Sequence, residues 1–226
     1  MGWSSWNKHG CDINEKIIRD TADTMVSSGL AAAGYTFVNV DDCWSAPKRD
    51  PITNRLQADP DRFPSGMKAL GDYIHSKGLK FGLYSDSGVW TCAFKLGSGN
   101  FEQIDAEAFA EWGVDYLKYD NCFTNFFEKA SERFAKMSSA LKNTSRSIFY
   151  SVCNVTTFNT VGARESLEMG AAHQRFLENI WRYWRSLGAQ ECSRLAKLPL
   201  YHSLVPKSCN WFRALLFNHE HTRESG

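Results

Sequence analysis

Along the first 154 residues, polar and apolar positions follow two alternating periods. Four apolar runs of strand length each end in polar or acidic residues. Tyr35-Thr36-Phe37-Val38-Asn39-Val40 runs into Asp41-Asp42-Cys43-Trp44, and Leu79-Lys80-Phe81-Gly82-Leu83-Tyr84 into Ser85-Asp86. Val114-Asp115-Tyr116-Leu117-Lys118-Tyr119 runs into Asp120-Asn121-Cys122, and Ser147-Ile148-Phe149-Tyr150-Ser151-Val152 into Cys153-Asn154. Between them, apolar side chains recur at helical spacing. Ile17, Ile18, Thr21, Met25 and Val26 make one face between Asn14 and Gly29. Met67, Leu70, Tyr73 and Ile74 make a second, closed by Lys77-Gly78. Ile104, Ala108 and Trp112 mark a third helix, and Phe127, Phe134, Met137 and Leu141 a fourth.

Strand ends return at intervals of roughly 35–45 residues, the period of successive β/α units in a parallel sheet. Each run places polar or acidic residues at its C-terminal end, the face that carries the active site in a β/α barrel. An open doubly wound sheet uses the same face, but no Gly-x-Gly-x-x-Gly follows the first strand and no phosphate-binding loop occurs. The expectation is therefore an α/β fold of (β/α)8 TIM-barrel type. A complete barrel typically takes about 250 residues; 226 residues predict an incomplete one, its first five β/α units over residues 1–154.

From Val155 to Gly226 the repeat stops, and the stretch contains no aspartate. An amphipathic helix through His173-Gln174-Arg175-Phe176-Leu177 and Trp181-Arg182-Tyr183-Trp184-Arg185 is compatible with it. Residues 155–226 read as a divergent tail, helical or disordered, of the kind a shifted frame or an aberrant splice produces.

Composition narrows the classes. Hydrophobic content of 43%, charged content of 23% and a net charge of +1 suit an ordinary globular protein and point to neither nucleic acid nor an anionic membrane. No apolar run approaches the roughly 18 residues of a membrane span. Seven cysteines are many for a reducing compartment, and none forms a Cys-x-x-Cys pair of the zinc or thioredoxin type. With the acceptor triplets Asn143-Thr144-Ser145 and Asn154-Val155-Thr156, they point to a secreted or lumenal, glycosylated protein. Met1 is followed at once by Gly2-Trp3, with no secretion signal; the expectation is an N-terminus lost upstream.

Four segments carry more specific information: Met1-Gly2-Trp3-Ser4-Ser5-Trp6-Asn7, Asn39-Val40-Asp41-Asp42-Cys43-Trp44, Gly82-Leu83-Tyr84-Ser85-Asp86-Ser87-Gly88 and Tyr116-Leu117-Lys118-Tyr119-Asp120-Asn121-Cys122. In this order and spacing they resemble glycoside hydrolase family 27, the α-galactosidases and α-N-acetylgalactosaminidases. The resemblance covers residues 1 to about 154. It implies retaining hydrolysis, in which one carboxylate attacks the anomeric carbon and a second, about 5 Å away, shuttles the proton. Asp120 is the implied nucleophile. Lys118 lies two residues earlier, so on a strand both share a face, and its ammonium favours an ionised carboxylate.

The resemblance assigns Asp41 and Asp42 to the 4- and 6-hydroxyls of a galactose-like sugar and Trp3 to the apolar face of its ring. Tyr84 is an expected substrate contact and Asp86 a support for the neighbouring loop; Trp44 either lines the same mouth or packs. The family pattern also implies the disulfides Cys11–Cys43 and Cys92–Cys122, with no pairing for Cys153, Cys192 or Cys209.

The family's acid/base aspartate follows a Ser-Trp-Arg type motif on a later strand, and no such motif occurs here. Glu165, Glu168 and Glu178 are available as substitutes, in surroundings that match nothing catalytic. The expected function is a retaining α-galactosidase-type hydrolase of terminal α-D-galactosyl residues, impaired for want of the acid. Its partner would be an α-galactoside oligosaccharide or glycoconjugate, and no cofactor is expected. Two alternatives stand beside it: a non-catalytic galactose binder or inactive fragment, and a metal-dependent β/α enzyme using Asp41, Asp42, Asp86 and Asp120. His219-Glu220-His221 lacks zinc spacing, and no metal site is expected. Whether the sugar carries a 2-hydroxyl or a 2-acetamido group is left open by the loop after Asn154.

Overall fold

The computed structural model describes residues 1–124 and 127–153. The tail helix, Glu165, Glu168, Glu178, Cys192, Cys209, the acceptor at Asn154 and His219-Glu220-His221 lie outside the described residues. Five strands form one parallel sheet in sequential order: β1 (Gly2–Ser4), β2 (Phe37–Val40), β3 (Lys80–Asp86), β4 (Tyr116–Asp120) and β5 (Phe149–Val152). After a short α1 (Trp6–His9), the crossovers carry α2 (Glu15–Ser27), α3 (Gly66–Ser76), α4 (Glu102–Glu111) and α5 (Ala130–Lys142). The strand order never reverses. Such winding belongs to a barrel, whereas a doubly wound sheet reverses at its switch point.

Register decides what each strand shows to each side. Val38 pairs with Phe81, and Leu83 with Leu117. Phe81 meets α3 at Gly71, where an added Cβ would lie 2.5 Å from the Trp112 carbonyl; only glycine allows that approach. Tyr119 meets Phe134 of α5 edge to face. These residues, with Val40, form a fully buried layer between sheet and helices. The opposite parity holds Phe37, Asn39, Gly82, Tyr84, Tyr116, Lys118, Asp120 and Phe149. Phe37 and Tyr116 pack edge to face, and Tyr116 stacks on Phe149. Gly82 leaves room for Asn39, whose Oδ1 would otherwise lie 1.8 Å from a Cβ.

Two helices present a different face from the expected one. In α2, capped by the Asn14 side chain on the Ile17 N–H, Ile18, Thr21, Ala22 and Met25 are buried, while Val26 is 42% exposed. In α4, the buried set is Asp105, Ala106, Ala108 and Phe109, not Ile104 with Ala108 and Trp112. An inward aspartate displaces the apolar stripe, because Asp105 pairs with Arg49. Trp112 instead closes the helix against Trp44 and Phe109. In α5, Phe134, Met137 and Leu141 are buried as expected, but Phe127 precedes the helix and is exposed. At the N-terminal ends of the strands, Asp115 joins three elements. It accepts from the Phe81 N–H at 2.8 Å and Arg146 at 2.6 Å, and it lies 2.8 Å from His75 Nε2.

Candidate active site

The C-terminal ends of β2, β3 and β4 converge. Tyr84 of β3 and Lys118 of β4 are register partners, as are Asp86 and Asp120. Asp120 accepts from the Tyr84 hydroxyl at 3.0 Å through Oδ2 and from the Asn121 N–H at 3.0 Å through Oδ1. Lys118 spans to the neighbouring strand end and binds Asp41 at 2.8 Å, its ammonium 5.0 Å from the Tyr84 ring centre. The ammonium expected beside Asp120 is thus committed first to Asp41, which the twist of the sheet brings against it. Asp41 also takes the Ser4 hydroxyl at 3.4 Å and the Asp42 N–H at 2.9 Å, while its own N–H donates to Ser5 Oγ.

Asp42 and Asp86 serve the loops. Asp42 accepts from the Cys43 N–H at 2.7 Å, the Thr91 hydroxyl at 2.8 Å and the Ala93 N–H at 2.9 Å. Asp86 accepts from the N–H groups of Gly88 at 2.7 Å and Cys122 at 3.0 Å. It therefore ties the loop after β3 to the segment after Asp120, the support role expected of it. The Trp44 indole donates to the Tyr84 carbonyl at 2.8 Å, so Trp44 packs and does not line the mouth.

Trp3 departs from expectation. It pairs with Val38, on the helix-facing parity, and is wholly buried with its ring 6.1 Å from His9. Ser4, one residue on, reaches Asp41 instead; strand alternation sends Trp3 the other way. Its indole N–H has no partner among the described residues.

Burial and crowding of like charge set the electrostatics. Burial pushes the Asp86 carboxyl up to about 7; the Gly88 and Cys122 amides oppose this, and the Asp120 and Asp42 charges add to it. Asp42 is raised, again by burial first, against its donors Thr91, Ala93 and Cys43. For Lys118, burial acts downward, but the Asp41 and Asp120 carboxylates outweigh it and raise the ammonium above its usual range. Tyr84 is pushed far up by burial and then by Asp120, Asp42, Asp86 and Asp41, so its hydroxyl stays a donor.

Both expected bridges, Cys11–Cys43 and Cys92–Cys122, are formed. The second brackets Asp120: the Cys92 sulfur lies 3.3 Å from Asp120 Oδ2. Sequence reasoning missed Thr91 and Ala93 as the holders of Asp42. It also missed the buried Arg49–Asp105 pair, bidentate at 2.7 and 2.8 Å, in which Arg49 further donates to the carbonyls of Asn54 and Gly97. No motif marks these residues; an arginine 56 positions from its aspartate is invisible without the fold.

The oxygen-only metal reading finds its ligands engaged. Lys118 holds one oxygen of Asp41, and amide and hydroxyl donors hold both of Asp42, a pattern that repels a divalent cation.

Comparison with known proteins agrees with this geometry. Residues 1–193 match the family described as alpha galactosidase A, a match that runs past the expected boundary at 154. Alpha-galactosidase 3 of Arabidopsis thaliana is 58% identical over 153 residues, 68% of this chain and 35% of the relative. The structure of α-galactosidase I from Mortierella vinacea is 45% identical, with a TM-score of 0.66, over 68% of this chain and 40% of that one. An α-galactosidase from Saccharomyces cerevisiae, solved with raffinose, is 43% identical with a TM-score of 0.65, over 68% of this chain and 34% of that one. The chain spans well under half the length of each.

Proposed function

The chain belongs to the α-galactosidase A family, glycoside hydrolase family 27, and from that premise we propose that it carries the nucleophile-bearing half of a retaining α-galactosidase site. Asp120 attacks the anomeric carbon of a terminal α-D-galactosyl residue in an oligosaccharide or glycoconjugate. Tyr84 fixes the attacking carboxylate in one orientation by its hydrogen bond to Oδ2. Lys118 and Asp41, paired across two strand ends, bind ring hydroxyls, and each bond to a charged partner is worth roughly 1.5–3 kcal/mol. Asp42, held rigid by Thr91 and Ala93, extends that acceptor surface. The observation that carries the reading is the convergence of Asp120, Tyr84, Lys118 and Asp41 from three neighbouring strands. Trp3 is left out of the site.

The sequence has no aspartate after Asp120, and Asp86, its partner in register, is turned to the loops by the Gly88 and Cys122 amides. We therefore assign this chain impaired protonation of the leaving group. Residues 1–154 form the catalytic portion, and residues 155–226 add no carboxylate of the expected acid/base type. The two disulfides and the exposed Asn143 acceptor support a secreted or lumenal location.

An activated aryl α-galactoside, whose leaving group needs little protonation, tests the assignment. Mass spectrometry should find a galactosyl adduct on Asp120 and none in Asp120→Asn. Folded wild-type protein left unlabelled at Asp120 overturns the nucleophile. The lack of any aspartate after Asp120 favours a second reading, a galactose binder without turnover; galactose heats in calorimetry with no adduct would establish it.

A further inference from the structure

We propose that reduction of the Cys92–Cys122 bridge opens a four-ligand site for a soft divalent cation of the Zn²⁺ or Cd²⁺ type, built from Asp86, Cys92, Asp120 and Cys122. One ligand atom from each of these residues lies within 4.8 Å of all the others. The Cys92 sulfur is 3.3 Å from Asp120 Oδ2 and 3.8 Å from Asp86 Oδ2. A tetrahedral ion with bonds of about 2.3 Å to sulfur and about 2.0 Å to oxygen separates those ligands by about 3.5 Å. The two edges from the Cys92 sulfur thus already have about the length that coordination needs, and the Cys122 sulfur, within 4.8 Å of both carboxylates, must part from Cys92 to complete the set.

The carboxylates are oriented beforehand, as ligands are by their outer partners. Gly88 and Cys122 amides hold Asp86, while Tyr84 and the Asn121 amide hold Asp120. Two thiolates and two carboxylates suit a borderline or soft ion better than the oxygen-seeking Ca²⁺ or Mg²⁺.

The chemistry balances in two steps. In thiol–disulfide exchange a dithiol reductant gives two electrons and its two thiol hydrogens to Cys92 and Cys122, and it leaves as a cyclic disulfide. The incoming cation then displaces the two cysteine protons to solvent. With the bridge intact the sulfurs are neutral and bonded to each other, and the site is closed to metal. With metal bound, Asp120 is occupied. The inference rests on ligand geometry and does not depend on the galactosidase reading: a chain inert toward every galactoside would still bind the ion.

Titration with Cd²⁺ alone, followed by thiolate-to-metal charge-transfer absorbance and equilibrium dialysis, tests it. The full chain is compared oxidised, and reduced with a dithiol that is then removed without air. The reduced chain should bind one more Cd²⁺ than the equally reduced Cys92→Ser/Cys122→Ser variant, and the oxidised chain should lack that ion. Asp86→Asn should weaken the extra ion at least about tenfold. Equal stoichiometry in the reduced chain and the double serine variant overturns the proposal, as does retention of the ion by the oxidised chain. So does an affinity indifferent to Asp86, which is what a thiol pair in an unfolded chain would give.

Discussion

The Lys118–Asp41 pair concentrates the energetics of the site in two side chains. Asp41 is 5% exposed and Lys118 22%, so neither charge has water as an adequate substitute for its partner. Removing one member of a buried ion pair commonly costs about 3–5 kcal/mol, because the survivor stays desolvated. Lys118→Met is expected to lose stability in that range, read as a lowered denaturant midpoint at constant slope, and to lose galactose binding. Adding Asp41→Asn should restore part of the stability and none of the binding; a double variant no more stable than Lys118→Met would show that the loss is packing. That Lys118 and Asp120 share a face was legible in the sequence, since alternate strand residues must. The partner of Lys118 was not: Asp41 is 77 residues away, and only the pairing of β2, β3 and β4 makes it nearer than Asp120. Thr91, 49 residues from Asp42, was illegible for the same reason as Asp41, and Ala93 for another, as it holds Asp42 through its backbone amide, which every residue but proline possesses.

At the scale of elements, Asp115 is a hinge pin between β3, β4, α3 and the start of β5, whose Phe149 N–H also reaches the Asp115 carbonyl. Burial alone would raise its carboxyl, but the hydrogen bonds from His75, the Phe81 amide and Arg146 outweigh it and hold the group below the usual aspartate value. A carboxyl lowered in the folded state contributes stability in full above the unfolded value, near pH 4, and that contribution is lost as pH falls on through the lower folded value. Asp115→Asn is expected to cost roughly 1.5–3 kcal/mol at neutral pH and to flatten the acid side of the stability curve below about pH 4. Urea melts at pH 3 and pH 7 measure both, and an unchanged acid slope would remove Asp115 from the account. Strand and helix order was readable here because each strand is a largely apolar run that stops at polar or acidic residues. Helix faces were read less well: α4 turns on Asp105, and a hydrophobic pattern cannot anticipate an aspartate driven inside by an arginine from another loop.

For the molecule as a whole, the proposed function divides a two-carboxylate reaction. On the proposed reading, bond formation at the anomeric carbon needs Asp120 and its neighbours, at the ends of β2 to β4. Bond cleavage needs a proton on the departing oxygen, and the more basic that oxygen, the more the proton matters. Acid/base assistance is commonly worth 10²–10⁴ in rate. A hydrolase with both groups treats natural and activated galactosides within a modest factor, because protonation levels the leaving groups. A chain supplying only the nucleophile should show a steep dependence. Turnover of melibiose-like sugars should fall about 10²–10⁴ further behind a nitrophenyl galactoside than in a complete family member assayed alongside. The nitrophenyl reaction should also show a burst, since the deglycosylating water is deprived of the same group as a base. External azide, which needs no deprotonation, should then speed release of the galactosyl enzyme. Comparable rates on the two substrates, with no burst and no response to azide, would mean that a proton donor from this same chain reaches the aglycone. The search for it would then turn to Glu165, Glu168 and Glu178.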